Sequence, residues 1–220
     1  EKAITSGLES GDNEYASYAA HNMVYQFYIM GYPLADLAKK AETLELTIEK
    51  FQQDLTLKRL RLFHQSILTL IEENEHPDLL SGIIFDESEM DIADVSKSNE
   101  IYFHNLYLQK LHLALIFNLQ TNATKYIPLA EKYQESVKGT TLYPLFYFYR
   151  SLVITDIAPN SPSKKTVLRQ VQKDIKEIKK YEKYCPADYS HKIFLLEAEY
   201  KYLQGDNEEA KILYDKALKA

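Results

Sequence analysis

Tryptophan is missing from this chain, cysteine occurs once, and only six glycines and seven prolines punctuate its 220 residues. A lone Cys185 cannot form an internal disulfide, so the fold has to be held by a packed core; a half-buried, inert thiol in a reducing, cytoplasmic setting is the expected state. So few turn residues exclude an all-β protein, which needs a turn about every ten residues. No apolar run reaches the roughly 18 to 20 residues of a membrane-spanning helix, and Glu1 to Gly7 lacks the character of a signal peptide, so no membrane insertion is expected. Asn122-Ala123-Thr124 fits a glycosylation acceptor, a reading that requires secretion. A formal charge of -6 and a pI near 5.6 argue against sequence-independent binding to nucleic acid, which needs a basic face to displace counterions.

Signatures of chemistry are absent as well. None of the six glycines opens a phosphate loop ending in Lys-Ser or Lys-Thr, and there is no Gly-x-Ser-x-Gly elbow, His-Glu-x-x-His pair or kinase motif set. The acidic stretch Asp86, Glu87, Glu89, Asp91, Asp94 fails as a calcium loop, because Asp91 stands where the turn needs glycine and Lys97 where a bidentate glutamate is needed. His104 and His112 are two helical turns apart, too far to grip one zinc ion. Glu197 and Glu199 point to different sides of one helix and cannot act as an acid and base pair. The reading therefore assigns no catalytic residue, no metal and no cofactor.

What the chain does hold is helix. Hydrophobic residues make up 45% and charged residues 26%, enough for a substantial core. Helices are predicted over Glu1 to Ser10 and over about Asn13 to Met30, the latter with Tyr18, Asn22, Tyr25 and Ile29 on one stripe. The next two run from about Leu34 to Phe51 (Leu34, Leu37, Ala41, Leu44, Ile48) and from about Asp54 to Glu73 (Leu57, Leu60, Phe63, Ile67, Leu70, Ile71). Residues 76–98 read as an irregular acidic connection, its carboxylates set around Ile84, Phe85, Met90 and Ile92, with one short helix. Helices resume over about Glu100 to Leu119 (Ile101, His104, Leu108, Leu111, Leu115), Thr124 to Val137 and Tyr143 to Asp156. A long helix opens at Pro162-Ser163 and runs to about Tyr184 (Leu168, Val171, Ile175, Ile178).

Two surfaces are candidates for interaction. Tyr143, Phe146, Tyr147, Phe148 and Tyr149 form an aromatic helix that suits packing between helices, with Tyr143 and Tyr147 also placed to line a peptide groove. Between Ser163 and Tyr184 eight Lys and Arg residues face Asp174, Glu177 and Glu182, a net of +5. Lys173, Lys176 and Lys180 could dock an acidic partner or nucleic acid, but the apolar stripe beside them favours the solvated outer face of a helix.

The clearest unit is 191–220. One helix carries Phe194, Leu195, Ala198 and Leu203, the turn is Gly205-Asp206, and a second helix carries Ala210, Leu213, Tyr214 and Ala217. Gly205 is free to end a helix in the left-handed conformation, Asp206 or Asn207 to cap the next one, and Ala198 and Ala210 are small enough for a close crossing. Tyr214 and Ala217 are expected to face the neighbouring hairpin. Gly11-Asp12 followed by Tyr15, Ala16, Ala19 and Ala20 repeats the same punctuation. Gly11-Asp12-x-Glu14-Tyr15-Ala16-Ser17-Tyr18-Ala19, Gly31-x-Pro33-Leu34, Gly82-x-x-Phe85-Asp86-Glu87 and the C-terminal repeat together resemble the tetratricopeptide-like (MalT-like) helical region of large bacterial multidomain signalling proteins. In that family a serine/threonine-kinase-like domain and an AAA-type ATPase precede the region, and GAF and sensor histidine kinase domains often follow. Lys201 departs from the repeat at a usual aromatic position.

The resemblance implies an all-α fold, a right-handed superhelical stack of antiparallel hairpins over 1–220 with degenerate central repeats, and the start on Glu1 rather than Met with a stop directly after a repeat leads to the expectation of a segment cut from a longer protein. It implies a non-catalytic role in protein interaction and in spacing or relay between flanking domains during signal transduction. The partners are those domains, another protein or a peptide, and the parent's kinase and ATP-binding motifs lie outside this segment. The rival expectation is a peptide-sensing tetratricopeptide domain of a transcriptional regulator.

Overall fold

The computed structural model of the chain describes residues 1–89, 100–160 and 163–220. Among these the regular elements are helical, and the extended pairing is a single bridge between Ser81 and Asp86. The helices are α1 (Lys2–Ser10), α2 (Asn13–Ile29), α3 (Leu34–Lys50), α4 (Asp54–Ile71), α5 (Glu100–Ile116), α6 (Gln120–Lys132), α7 (Leu142–Ile157), α8 (Lys164–Glu182), α9 (Pro186–Gln204) and α10 (Asn207–Lys219). Short 3-10 turns lie at Glu87–Glu89, Gln134–Val137 and Ala158–Asn160. Met90, Asp91, Ile92, Asp94 and Pro162, on which parts of the sequence reading rest, fall outside the described residues. The chain divides into two compact units, 1–113 and 114–220.

In the first unit α1 packs on α2, α2 on α3 and α4, and α3 on α4. Periodicity dictates most of this core: Leu37, Ala41 and Ile48 of α3 and Leu60, Phe63 and Ile67 of α4 are completely buried. Helix α2 differs from expectation. Its buried face is Ala16, Ala20, Val24 and Tyr28, while Tyr18 and Asn22 of the expected stripe are exposed. Small residues let helices approach closely, and a Cβ placed on Gly7 would stand 2.9 Å from the Ala16 nitrogen, so α1 and α2 cross there. Ile71 is likewise exposed, because α4 ends at it.

In the second unit α6 packs on α7, α7 on α8 and α9, α8 on α9, and α9 on α10. Val171, Ile175 and Ile178 of α8 meet Tyr189, Ile193 and Leu196 of α9, with Phe148 and Leu152 of α7 packed against them. Tyr143, Phe146 and Tyr149 are buried, so the aromatic helix serves packing first.

One turn recurs at the helix ends. The Gly11 nitrogen donates to the Leu8 carbonyl and the Asp12 nitrogen to that of Gly7, while Gly205 and Asp206 repeat the pattern onto Tyr202 and Lys201. Both glycines sit at positive φ, 75° and 87°, where a side chain would be strained. Asp12 then accepts from the Tyr15 nitrogen at 2.9 Å and Asp206 from that of Glu209 at 3.4 Å, capping the following helices. Asn118 at φ 57° ends α5 in the same way, with Leu119 bonded back to Ala114. Cys185 is exposed rather than half-buried, since it caps α9 at a corner between helices. Its thiol donates to Asp188 at 2.9 Å, and that bond raises its pKa.

Candidate functional site

The aromatic helix α7 carries one cation, Arg150, which can be buried only with a partner. That partner comes from α8: Asp174 lies three residues after Val171 and one before Ile175, on the helix's buried stripe, and is completely buried. The expectation that the charges of α8 form a solvated outer face is therefore corrected for Asp174. The Arg150 Nε donates to Asp174 Oδ2 at 3.0 Å and Nη2 donates to Oδ1. Ser151 Oγ and Gln170 Nε2 donate to the same carboxylate, each at 2.9 Å. Burial lowers the Arg150 pKa, but the bonds to Asp174 and the charge of Glu131 outweigh it, so the net shift is upward.

Above this pair opens a cleft of about 480 Å³. Glu131 of α6 stands at its mouth with the side chain 56% exposed and accepts from the Arg150 Nη1. The guanidinium lies 4.9 Å from the Phe146 ring centre and 5.1 Å from that of Tyr147, within cation–π range. Tyr147 donates its hydroxyl to that of Tyr143 (3.1 Å), which donates to Glu135 (3.3 Å). Tyr181 packs against Tyr143 with ring centres 6.1 Å apart. Burial first, then the bond to Tyr143, raises the Tyr147 pKa; burial raises that of Tyr181.

Lysines form the rim. Lys138 pairs with Glu135 at 3.0 Å and Lys180 with Glu177 at 2.6 Å, whereas exposed Lys173 has no ion-pair partner among the described residues. Of the surface proposed from sequence, Tyr143, Tyr147, Lys173 and Lys180 therefore meet in one cleft, and Lys176 does not line it. The sequence reading missed Arg150, Glu131, Gln170 and Lys138. A single arginine in an apolar helix and a single aspartate on an apolar stripe were the signals available for the central pair.

The repeat residues lie elsewhere. Gly11, Asp12, Gly205 and Asp206 form turns; Ala16, Ala198 and Ala210 are buried; Phe194 and Ala217 are half-buried. Tyr214 donates to Glu199 of α9 at 2.7 Å, so its hydroxyl is held within its own hairpin. Glu197 instead pairs with Lys179 of α8 at 2.7 Å, as expected of two glutamates on different sides of one helix. His112 bonds the Tyr28 hydroxyl at 2.8 Å, and His104 is completely buried. No group of three or more metal-binding side chains occurs among the described residues, and none of their helices is long and apolar enough to cross a membrane.

Comparison with protein-family models, with curated proteins and with solved structures gave no match.

Proposed function

We propose that this chain is a non-catalytic protein-interaction module: a right-handed, tetratricopeptide-like stack of hairpins that spaces and couples the flanking domains of a multidomain signalling ATPase or kinase. The observation that carries it is the repetition of one hairpin design at both ends. Gly11-Asp12 and Gly205-Asp206 have the same left-handed stop and the same aspartate cap, and each is followed at equal spacing by a buried alanine, Ala16 or Ala210. Along α1 to α4 and along α6 to α10 helices pack on their chain neighbours, and α7 also reaches α9 and α2 also reaches α4, the nearest-neighbour pattern of a helical repeat. The cleft on α7 and α8 suits binding better than turnover. Its buried charges hold one another, and its shifted tyrosines are pushed away from neutral pKa values.

Calorimetry with ATP and magnesium on this chain should give no stoichiometric binding. In the longer protein, Ala210→Leu should change ATPase or autophosphorylation activity by disturbing the stack. Nucleotide binding by this chain, or full-length activity indifferent to the substitution, refutes the spacer and relay reading. The second reading, a peptide-sensing domain, draws on the tyrosine-lined cleft.

A further inference from the structure

Glu131 and Asp174 hold Arg150 on unequal terms. Asp174 is buried and accepts four hydrogen bonds, whereas Glu131 takes one edge of the guanidinium from a side chain that remains 56% exposed. A buried carboxylate cannot leave without stranding a charge, but an exposed one can swing into water at little cost. The edge that Glu131 covers faces the cleft, whose wall carries Tyr143 and Tyr147 and whose rim carries Lys138 and Lys180, paired with Glu135 and Glu177, and Lys173, which has no ion-pair partner among the described residues. Those side chains suit a ligand that brings its own carboxylate beside an aromatic or apolar body.

We propose that the cleft binds an acidic peptide segment of a protein partner, one of whose carboxylates displaces Glu131 from Arg150 while Lys173 pairs with a second acidic group. The proposal rests on the interaction-module reading and names its partner class. Asp174 keeps the guanidinium fixed beside the Phe146 and Tyr147 rings, so the incoming group meets a preorganised donor. Glu131 acts as an internal competitor, which keeps the cation paired until a partner arrives.

The test is fluorescence anisotropy on this chain with a short labelled peptide of alternating Glu and Tyr, beside its Gln-Tyr counterpart. The acidic peptide should bind and the neutral one should not. Glu131→Gln should tighten binding about three- to tenfold by removing the competitor, and Lys173→Glu should weaken it about tenfold. Both sites are at the cleft mouth or exposed, and unchanged circular dichroism establishes that the variants fold. A purely structural Glu131 would leave affinity unchanged or lower it on substitution, and that result overturns the proposal. Equal binding of the two peptides, or full competition by inorganic phosphate at the concentration of the peptide, overturns it too. Absence of acidic-peptide binding while Ala210→Leu still alters the full-length protein removes the cleft's assignment and leaves the module reading standing.

Discussion

Replacing Asp174 by alanine is the most informative perturbation of the second unit. Its carboxylate accepts from two Arg150 nitrogens, from Ser151 and from Gln170, and its side chain is 1% exposed. Removal leaves the Arg150 guanidinium, itself 8% exposed, with only the cleft-mouth carboxylate of Glu131. Breaking a buried pair from one side costs about 3 to 5 kcal/mol, because the surviving charge stays desolvated. With a urea slope of about 2 kcal/mol per molar, the unfolding midpoint should fall by about 2 M. Glu131→Ala, which breaks the exposed arm, should cost less than about 1 kcal/mol. The double variant Arg150→Met, Asp174→Leu removes both charges and should recover most of the loss, within about 1 kcal/mol of the parent. Urea titration followed by circular dichroism measures all three. An Asp174→Ala cost below about 1 kcal/mol, or a double variant as unstable as the sum of its single changes, would refute the reasoning.

Three further outcomes follow from the packing and the titrations. Ala210→Leu should cost about 1 to 3 kcal/mol by overpacking, against less than about 0.5 for exposed Lys211→Leu, and equal effects in urea titration would contradict the burial of Ala210. Gly7→Ala should destabilise by a similar 1 to 3 kcal/mol although alanine is the better helix former by about 1, since the added methyl meets the backbone of Ala16; a gain in thermal midpoint would show that α1 is free to move. His21 and His112 are held neutral chiefly by burial, with pKa values lowered from 6.5 to about 3 and about 4. The unfolded chain therefore binds more protons below pH 6.5, and by pH 5 each site should have removed about 2 kcal/mol of stability. A urea midpoint flat between pH 7 and 5 would contradict this, and His21→Gln should remove about half of the slope.

The helical class could be read from spacing because α3, α4 and α8 carry apolar residues at three-and-four intervals over polar backgrounds. Gly11 and Gly205 were legible for a different reason: only glycine reaches their backbone angles without strain, so the residue itself reports the turn. Asn118 takes a similar angle, but asparagine has many other uses and gave no comparable signal. The face of α2 was misjudged because small residues define it, and the bulk of Tyr18, Tyr25 and Ile29 stands out over Ala16 and Ala20 in the sequence. The cleft was half visible. Its tyrosines and lysines stand out in composition, whereas the pair beneath them joins residues on two helices, and no local pattern joins position 150 to position 174.

Helix α9 touches α7, α8 and α10, whereas α10 rests on α9 and leaves Ile212 and Leu218 in water. This asymmetry sets an order of opening. Amides in the middle of α9 are shielded by three neighbours and should exchange with deuterium only when the second unit as a whole comes apart. Those of α10 rest on a single helix interface among the described residues, so in this chain they should exchange early, and α10 would act as a hinged cover over a slowly exchanging centre.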